Sequence, residues 1–196
     1  MNTLLLHCRP GFESEVCSEI SEVATRHEIA GYAKAKPNSA FAEFICTEPE
    51  GAQRLMRAQR FAKLIFPRQW ARGAFIELPE KDRISVLLAC MADFPACGSL
   101  WLEVLDTNDG KELSKFCKMF EAPLRKALLK AGKLVDDPLK PRLLLTFKSG
   151  REVFLGLAES NNCAMWPMGI ARLKFPRDAP SRSTLKLEEA WHHFIP

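Results

Sequence analysis

A chain of 196 residues, 47% hydrophobic and 27% charged with a formal net charge of +4, has ordinary globular usage, which excludes disordered, collagen-like and coiled-coil readings. A fold of this size buries about 70% of the surface its unfolded chain exposes, so neither a disulfide nor a metal is needed to hold it. The charge is uneven: residues 1–50 carry four bases against eight acids and the remainder 24 against 16, which directs a polyanion partner toward the later part. Seven scattered cysteines without a C-x-x-C pair, and four isolated histidines (His7, His27, His192, His193), predict reduced thiols in a cytoplasmic protein and no metal site. The apolar run Leu4 to Leu6 is too short for a signal peptide, and no stretch is long enough to cross a membrane, so no membrane partner is expected.

In chain order, NTLLLHC reads as a short strand ended by Arg9-Pro10-Gly11. Phe12, Val16, Ile20 and Val23 then recur at helical spacing. GYAKAK and AFAEFIC are two strands around the turn Pro37-Asn38-Ser39. EPEGAQRLMRA is a second helix, and FAKLIFPRQW returns to strand. The order is β-α-β-β-α-β, a split βαβ or ferredoxin-like unit. A second unit follows: a helix over 83–94, the strand SLWLEVL over 99–105, and a helical region over 111–131. Pro123 lacks an N–H and clashes with the preceding turn, so a break is expected there, with a further helix stopping at Gly132. RLLLTF and REVFLGLA form a strand pair around Lys148-Ser149-Gly150. Residues 160–180, with Pro167, Pro176 and Pro180, read as an extended linker. SRSTLKLEEAW (181–191) opens a last helix, with Ser181 or Ser183 as N-cap and an apolar face of Leu187, Ala190, Trp191 and Phe194.

Chemistry-bearing patterns are few. Between Gly51 and Ile76 there is no acid before Glu77; Arg54, Arg57, Arg60, Lys63, Arg68 and Arg72 interleave with Phe61, Phe66, Trp70 and Phe75. Guanidiniums contact phosphates and rings stack on unpaired bases, a mixture suited to single-stranded RNA; equally, the rings can fill a core beneath a solvated basic face. The helix from Lys111 sets Leu113, Phe116, Phe120 and Leu124 inward and Lys111, Lys115 and Lys118 on the opposite side. In AFAEFIC, Phe41 shares its face with Glu43 and Ile45 while Phe44 points the other way, so the paired stacking rings of an RNA-recognition motif are missing. No two of the ten glycines lie closer than six positions, which leaves no G-x-G-x-x-G and no P-loop. Asp106-Thr107-Asn108 fits a catalytic loop or, more simply, a turn and helix cap. Lys186 sits in the first turn of the last helix, where the dipole opposes its charge by a few tenths of about 1 kcal/mol; it is either a side chain tethered to Glu189 or solvent, or part of an active site.

LHCRPGFESEV (6–16), LDTNDGKELSKFC with KMFEAPLRKALLKAG (105–132), and above all MGIARLKFPRDAPSRSTLKLEEAWHHFIP (168–196) resemble the RlmM-type ribosomal RNA 2′-O-ribose methyltransferases. The resemblance spans essentially the whole chain. It implies an α+β to α/β architecture: a ferredoxin-like subdomain at 1–66, a THUMP-type subdomain at 67–160, a proline-rich linker at 161–180, and at 181–196 the first helix of a Rossmann-like methyltransferase domain. It implies an intact enzyme that uses S-adenosylmethionine to methylate the 2′-hydroxyl of a cytidine in 23S ribosomal RNA in the cytoplasm; neither DNA nor membrane is expected as partner, and the oligomeric state is left open, a monomer being the simplest expectation. Lys186 then corresponds to one lysine of a Lys-Asp-Lys-Glu tetrad and orients and tunes the hydroxyl, while Ser183 matches a position contacting S-adenosylmethionine. The glycine-rich adenosine loop and the other tetrad members are absent, so the chain resembles an N-terminal portion ending just inside the catalytic domain, with no cofactor bound and no methyl transfer of its own expected. The RNA contacts expected are Arg68, Arg72, Lys115, Lys118, Arg172, Lys174 and Arg177. The rival expectations are a stand-alone RNA-binding or protein-interaction module, and a thiol enzyme, which needs an exposed, electropositive cysteine.

Overall fold

The computed structural model describes residues 1–175, 177–178 and 180–195, without the side chains of His193 and Phe194. Of the sequence expectations, Pro176 in the linker and the Phe194 side chain on the last helix lie outside the described residues. The strands are β1 (Thr3–His7), β2 (Gly31–Ala35), β3 (Phe41–Cys46), β4 (Gln69–Glu77), β5 (Ser99–Val104), β6 (Arg142–Phe147) and β7 (Glu152–Ala158). The helices are α1 (Glu13–Arg26), α2 (Gly51–Ala58), α3 (Arg83–Cys90), α4 (Asn108–Lys130) and α5 (Ser183–Phe194).

All seven strands form one sheet in the order β2-β3-β1-β4-β7-β6-β5. Every neighbouring pair is antiparallel except β5 with β6. β1 and β2 flank β3, the order a split βαβ unit produces. β4 joins the halves: Gln69–Gly73 pairs with β1, and Arg72–Glu77 with β7. The fourth strand was expected in FAKLIFPRQW, but β4 begins at Gln69, beyond the expected end of the first unit at residue 66. Phe61–Lys63 is instead a single 3-10 turn closed by Leu64 N on Phe61 O, and the N–H groups of Ile65 and Phe66 donate to the Glu19 carboxylate at 2.7 and 3.0 Å. Those donors are therefore withdrawn from any ladder, and Pro67 has none to give.

Opposed residues in adjacent strands share a face, and the register puts Leu4, Leu6, Phe44 and Trp70 on the same side as Leu143, Leu145, Phe147, Leu155 and Leu157. These side chains are buried in two apolar clusters: one with Val16, Ile20 and Leu55 from α1 and α2, the other with Leu87, Cys117, Leu124 and Leu128 from α3 and α4. The four helices therefore cover one face. The stripe on α4 also explains why Pro123 does not break the helix, which runs unbroken from Asn108 to Lys130 with the proline inside. A proline costs a helix roughly 3 kcal/mol. Phe116, Cys117, Phe120, Leu124 and Leu128 pack the sheet on both sides of Pro123, and each buried apolar side chain returns about 1.5–3 kcal/mol, so burial wins. Thr107 caps α4, its hydroxyl accepting from Gly110 N at 3.1 Å, and the chain leaves the helix through Gly132 at φ 66. The cap reading of Asp106-Thr107-Asn108 therefore holds at Thr107.

The opposite face curls inward. His7 Nε2 lies 3.0 Å from Thr146 Oγ1, although β4 and β7 separate β1 from β6 in the sheet order. The segment 162–170 is bonded to the body along its length: Asn162 to α2 and to Trp70 of the helix-covered side, and Ala164 and Met168, both buried, to Gln69 and Glu103 of the concave side.

Candidate nucleic-acid interface

Where β5 ends and α4 begins, an open cleft of about 580 Å³ is lined by Arg68, Leu105, Asp106, Lys111, Ser114, Met168 and Arg172 among others. Three separate parts of the chain deliver its cations. Arg68 precedes β4, its N–H bonded to His7 O at 2.8 Å. Lys111 stands in the first turn of α4, and Arg172 follows the strap formed by 162–170. Asp106 is the acid in this lining; its Oδ2 accepts from Arg68 Nη1 at 3.1 Å with both side chains about one-third exposed, a pair worth little in solvent. Three positive charges against one negative leave the cleft a net cation, open to an anion that outcompetes Asp106.

Lys115 and Lys118 are exposed on α4 at four and seven positions beyond Lys111, a spacing that shares one helix face. They extend the cationic line away from the cleft. Lys174 and Arg177 are exposed beyond the strap. Arg72 is not in this group. It lies on the helix-covered face of β4, half-buried, and its pKa is lowered by burial and by Arg57 while Glu159 and Glu50 act against that shift. The sequence grouped Arg68 with Arg72; the structure instead brings together Arg68, Arg172 and Lys111.

The aromatic residues among the early bases are not a stacking platform. Trp70 is buried, and Phe61, Phe66 and Phe75 pack partly buried against the same cluster; the core-filling alternative holds. Phe44 is likewise buried, while Phe41 lies on the concave side.

α5 gives no residue to that cleft's lining, but its Glu189 lines a neighbouring pocket with Arg68, Trp166 and Gly169. Ser181 Oγ accepts from Ser183 N at 3.2 Å, but the N-cap of α5 is Arg182, which makes no side-chain cap bond, so neither expected serine is the N-cap. Ser183 and Lys186 are exposed. Leu187 and Trp191, on the expected apolar face, are 71% and 61% exposed. The ring of Trp166 meets that of His192 edge-on at 5.9 Å.

A buried polar cluster on the concave face escaped the sequence reading. His7, Gln69, Glu103 and Thr146 are all buried. Glu103 Oε1 accepts from Met168 N at 2.6 Å, and its Oε2 lies 3.5 Å from His7 Nε2. Burial pushes the Glu103 carboxyl up to about 7, against hydrogen bonds that pull it down, and the His7 imidazole down to about 4. Between about pH 4 and 7 this contact is therefore between an uncharged acid and an uncharged imidazole rather than an ion pair. The available signal was a polar residue near the end of each apolar strand, on the face opposite the helix-covered stripe: His7 in NTLLLHC, Glu103 in SLWLEVL, Thr146 in RLLLTF.

The thiols do not form a reactive site. Burial raises Cys8 to about 12 and Cys46, Cys97, Cys117 and Cys163 to about 11, which keeps them protonated and inert. Cys90 is exposed. Among the described residues no group of three His, Cys, Asp or Glu side chains could hold a metal, and no helix is long and apolar enough to cross a membrane.

Two family profiles match the chain: "RlmM ferredoxin-like domain" over residues 1–71 and "Ribosomal RNA large subunit methyltransferase M, N-terminal" over residues 82–159. Proteins named ribosomal RNA large subunit methyltransferase M from Pseudomonas syringae pv. syringae (strain B728a) and Pseudomonas fluorescens (strain SBW25) are each 80% identical to it across 196 residues, covering 100% of this chain and 55% of theirs. The chain therefore spans about half the length of the curated relatives it matches. Among solved structures, PH1313 from Pyrococcus horikoshii Ot3 shares 9% identity at a TM-score of 0.49, over 81% of this chain and 54% of that one. TrmN from Thermus thermophilus shares 19% at 0.43, over 80% and 45%.

Proposed function

The chain belongs to the ribosomal RNA large subunit methyltransferase M family, and from that premise we propose that it is the RNA-gripping, substrate-targeting region of a methyltransferase acting on large-subunit ribosomal RNA in the cytoplasm. The observation that carries the RNA role is the convergence of Arg68, Lys111 and Arg172 on one cleft, continued along α4 by Lys115 and Lys118. A ferredoxin-like first half and a THUMP-type second half, fused through β4, make the gripping body. Lys174 and Arg177 extend the cationic line from the strap toward α5. The cleft lining holds no aromatic ring, so the cleft reads the phosphate backbone rather than bases and supplies affinity and register more than sequence choice.

The methyl-transfer chemistry belongs to the longer protein. A ribose 2′-hydroxyl is a weak nucleophile, and a basic group that positions it and eases loss of its proton helps attack on an electrophilic methyl. Lys186 supplies such an amine, on a helix whose exposed Leu187 and Trp191 leave it an apolar face to bury. The residues present do not fit S-adenosylmethionine by themselves: Ser183 is exposed, and no glycine-rich loop accompanies it to receive the nucleoside. The 196-residue chain is therefore a binding region without methyl transfer of its own.

The test is the affinity of this chain for a ribosomal RNA fragment as salt is varied. Each phosphate neutralised on a single strand contributes about -0.7 to the slope of log K against log salt, so three cleft cations give roughly -2. Replacing Arg68 and Lys111 together by Gln should remove about two contacts from that slope. A slope near zero for the unmodified chain would overturn the RNA reading, and methyl transfer by the chain alone would overturn the assignment of chemistry to the longer protein.

A further inference from the structure

The segment between β7 and Arg172 is bonded to the body at more points than a spacer requires. Asn162 alone makes four links to it. Its Oδ1 accepts from Phe61 N at 2.7 Å, its Nδ2 donates to Met56 O and Gln59 O at 2.6 and 2.9 Å, and its carbonyl accepts from Trp70 Nε1 at 2.6 Å. Ala164 is gripped from both sides: its N–H donates to Gln69 Oε1 at 3.1 Å, and its carbonyl accepts from Arg142 Nη1 at 2.9 Å. The Arg142 guanidinium is itself held over the Trp101 ring at 3.6 Å. Met168 donates its N–H to the buried Glu103 at 2.6 Å. Gly169, at φ 63, lies against the Arg68 backbone so closely that a Cβ would collide with the Arg68 carbonyl.

We propose that Asn162, Gln69 and Glu103 are positioning residues that clamp 162–170 as a strap and thereby hold Arg172 in the cleft beside Arg68 and Lys111. This inference deepens the RNA reading and rests on it. Buried polar groups aimed at backbone N–H groups define where a chain runs, because a partner moved away leaves a desolvated group behind. Gly169 abuts the residue that supplies the first cation of the cleft, and Arg172 follows three positions later with its Nη2 3.9 Å from Met168 Sδ. The strap therefore fixes the two arginines relative to each other. Without it, Arg172 samples many positions and must be ordered when RNA arrives. Ordering one such side chain costs the equivalent of roughly 2- to 10-fold in affinity.

The test uses this chain in two arms. Asn162→Ala and Glu103→Ala should speed amide hydrogen exchange at Ala164 and Met168 by tenfold or more while leaving Leu6 and Leu144 in the central strands unchanged; Glu103→Gln, which keeps an acceptor for Met168 N, should exchange like the unmodified chain. Unchanged exchange at both sites in both alanine variants would overturn the clamp. In the second arm, binding of a single-stranded oligoribonucleotide should weaken by about 2- to 10-fold in Asn162→Ala, and Arg172→Gln should cost less in that background than in the unmodified chain. Equal affinity, or a full Arg172 effect in both backgrounds, would overturn the positioning role. If the unmodified chain bound the oligoribonucleotide without salt dependence, the RNA reading would fail while the exchange result still judged the clamp.

Discussion

The two faces of the single sheet solve opposite problems. The helix-covered face is dry: Leu4, Phe44, Trp70, Leu145 and Phe147 meet apolar side chains of α1 to α4, and its stability comes from area removed from water. The concave face mixes Leu5, Leu144 and Phe154 with His7, Gln69, Glu103 and Thr146, groups that gain little net energy from burial but are costly when left unpaired. The first face makes the sheet fold; the second, together with the Trp70 indole and the α2 carbonyls that hold Asn162, decides where the strap lies. Apolar contacts are non-directional and tolerate repacking, whereas a hydrogen bond to one backbone N–H specifies one position.

The largest test of this contrast is Trp70→Ala. It empties a fully buried site under α1 and α2 and removes the indole donor to Asn162, and large-to-small changes of this kind cost about 3–5 kcal/mol; urea unfolding measures it. A loss below about 1 kcal/mol would mean the helix layer is not what holds the sheet.

The next effect is a matter of pH, and it is hidden in the unmodified chain. With Glu103 raised from 4.5 to about 7 and His7 lowered from 6.5 to about 4, the folded pair keeps its proton on the acid, while in the unfolded chain between about pH 4.5 and 6.5 the proton sits on the imidazole. Both states hold one proton there, so the two contributions offset. Glu103→Gln unmasks His7, whose folded value is depressed: the unfolded state then binds more protons, and stability should rise with pH from about 4 to 6.5. His7→Gln unmasks Glu103, whose folded value is raised: the stability it contributes is present below about pH 4.5 and should be lost as pH rises toward 7. Each change is on the order of 1–3 kcal/mol, read from unfolding midpoints across that range. Parallel slopes in the two variants would break the assignment.

The smallest effect is expected where neither face is involved. Lys186→Ala, on the exposed side of α5, should shift stability by less than about 0.5 kcal/mol and leave RNA affinity of this chain unchanged. A larger loss would mean that the helix is packed on the body through that side chain.

Much of the architecture was legible locally. Period-two and period-3.6 patterns located all seven strands and five helices to within a few residues, except that β4 starts later than FAKLIF because Glu19 and Pro67 take its backbone donors away, and that Pro123 leaves α4 whole because sheet packing outweighs one lost bond. The site was less legible. Arg68, Lys115, Lys118 and Arg172 could be named as bases, but Lys111 was seen only as part of a helix face, and Arg72 belongs to the other side of the sheet. What the sequence by itself determined is whatever neighbours along the chain decide: strand and helix periods, the Thr107 cap, the inward stripe of α4. What only the tertiary structure decided is whatever depends on distant partners: the sharing of β4 by both halves, the meeting of Arg68, Lys111 and Arg172, and the Asn162 clamp, whose partners at Met56 and Gln59 lie more than a hundred residues away. Side-chain bonds of that separation leave no period in a sequence, because each is fixed by how the sheet curls and not by the residues beside it.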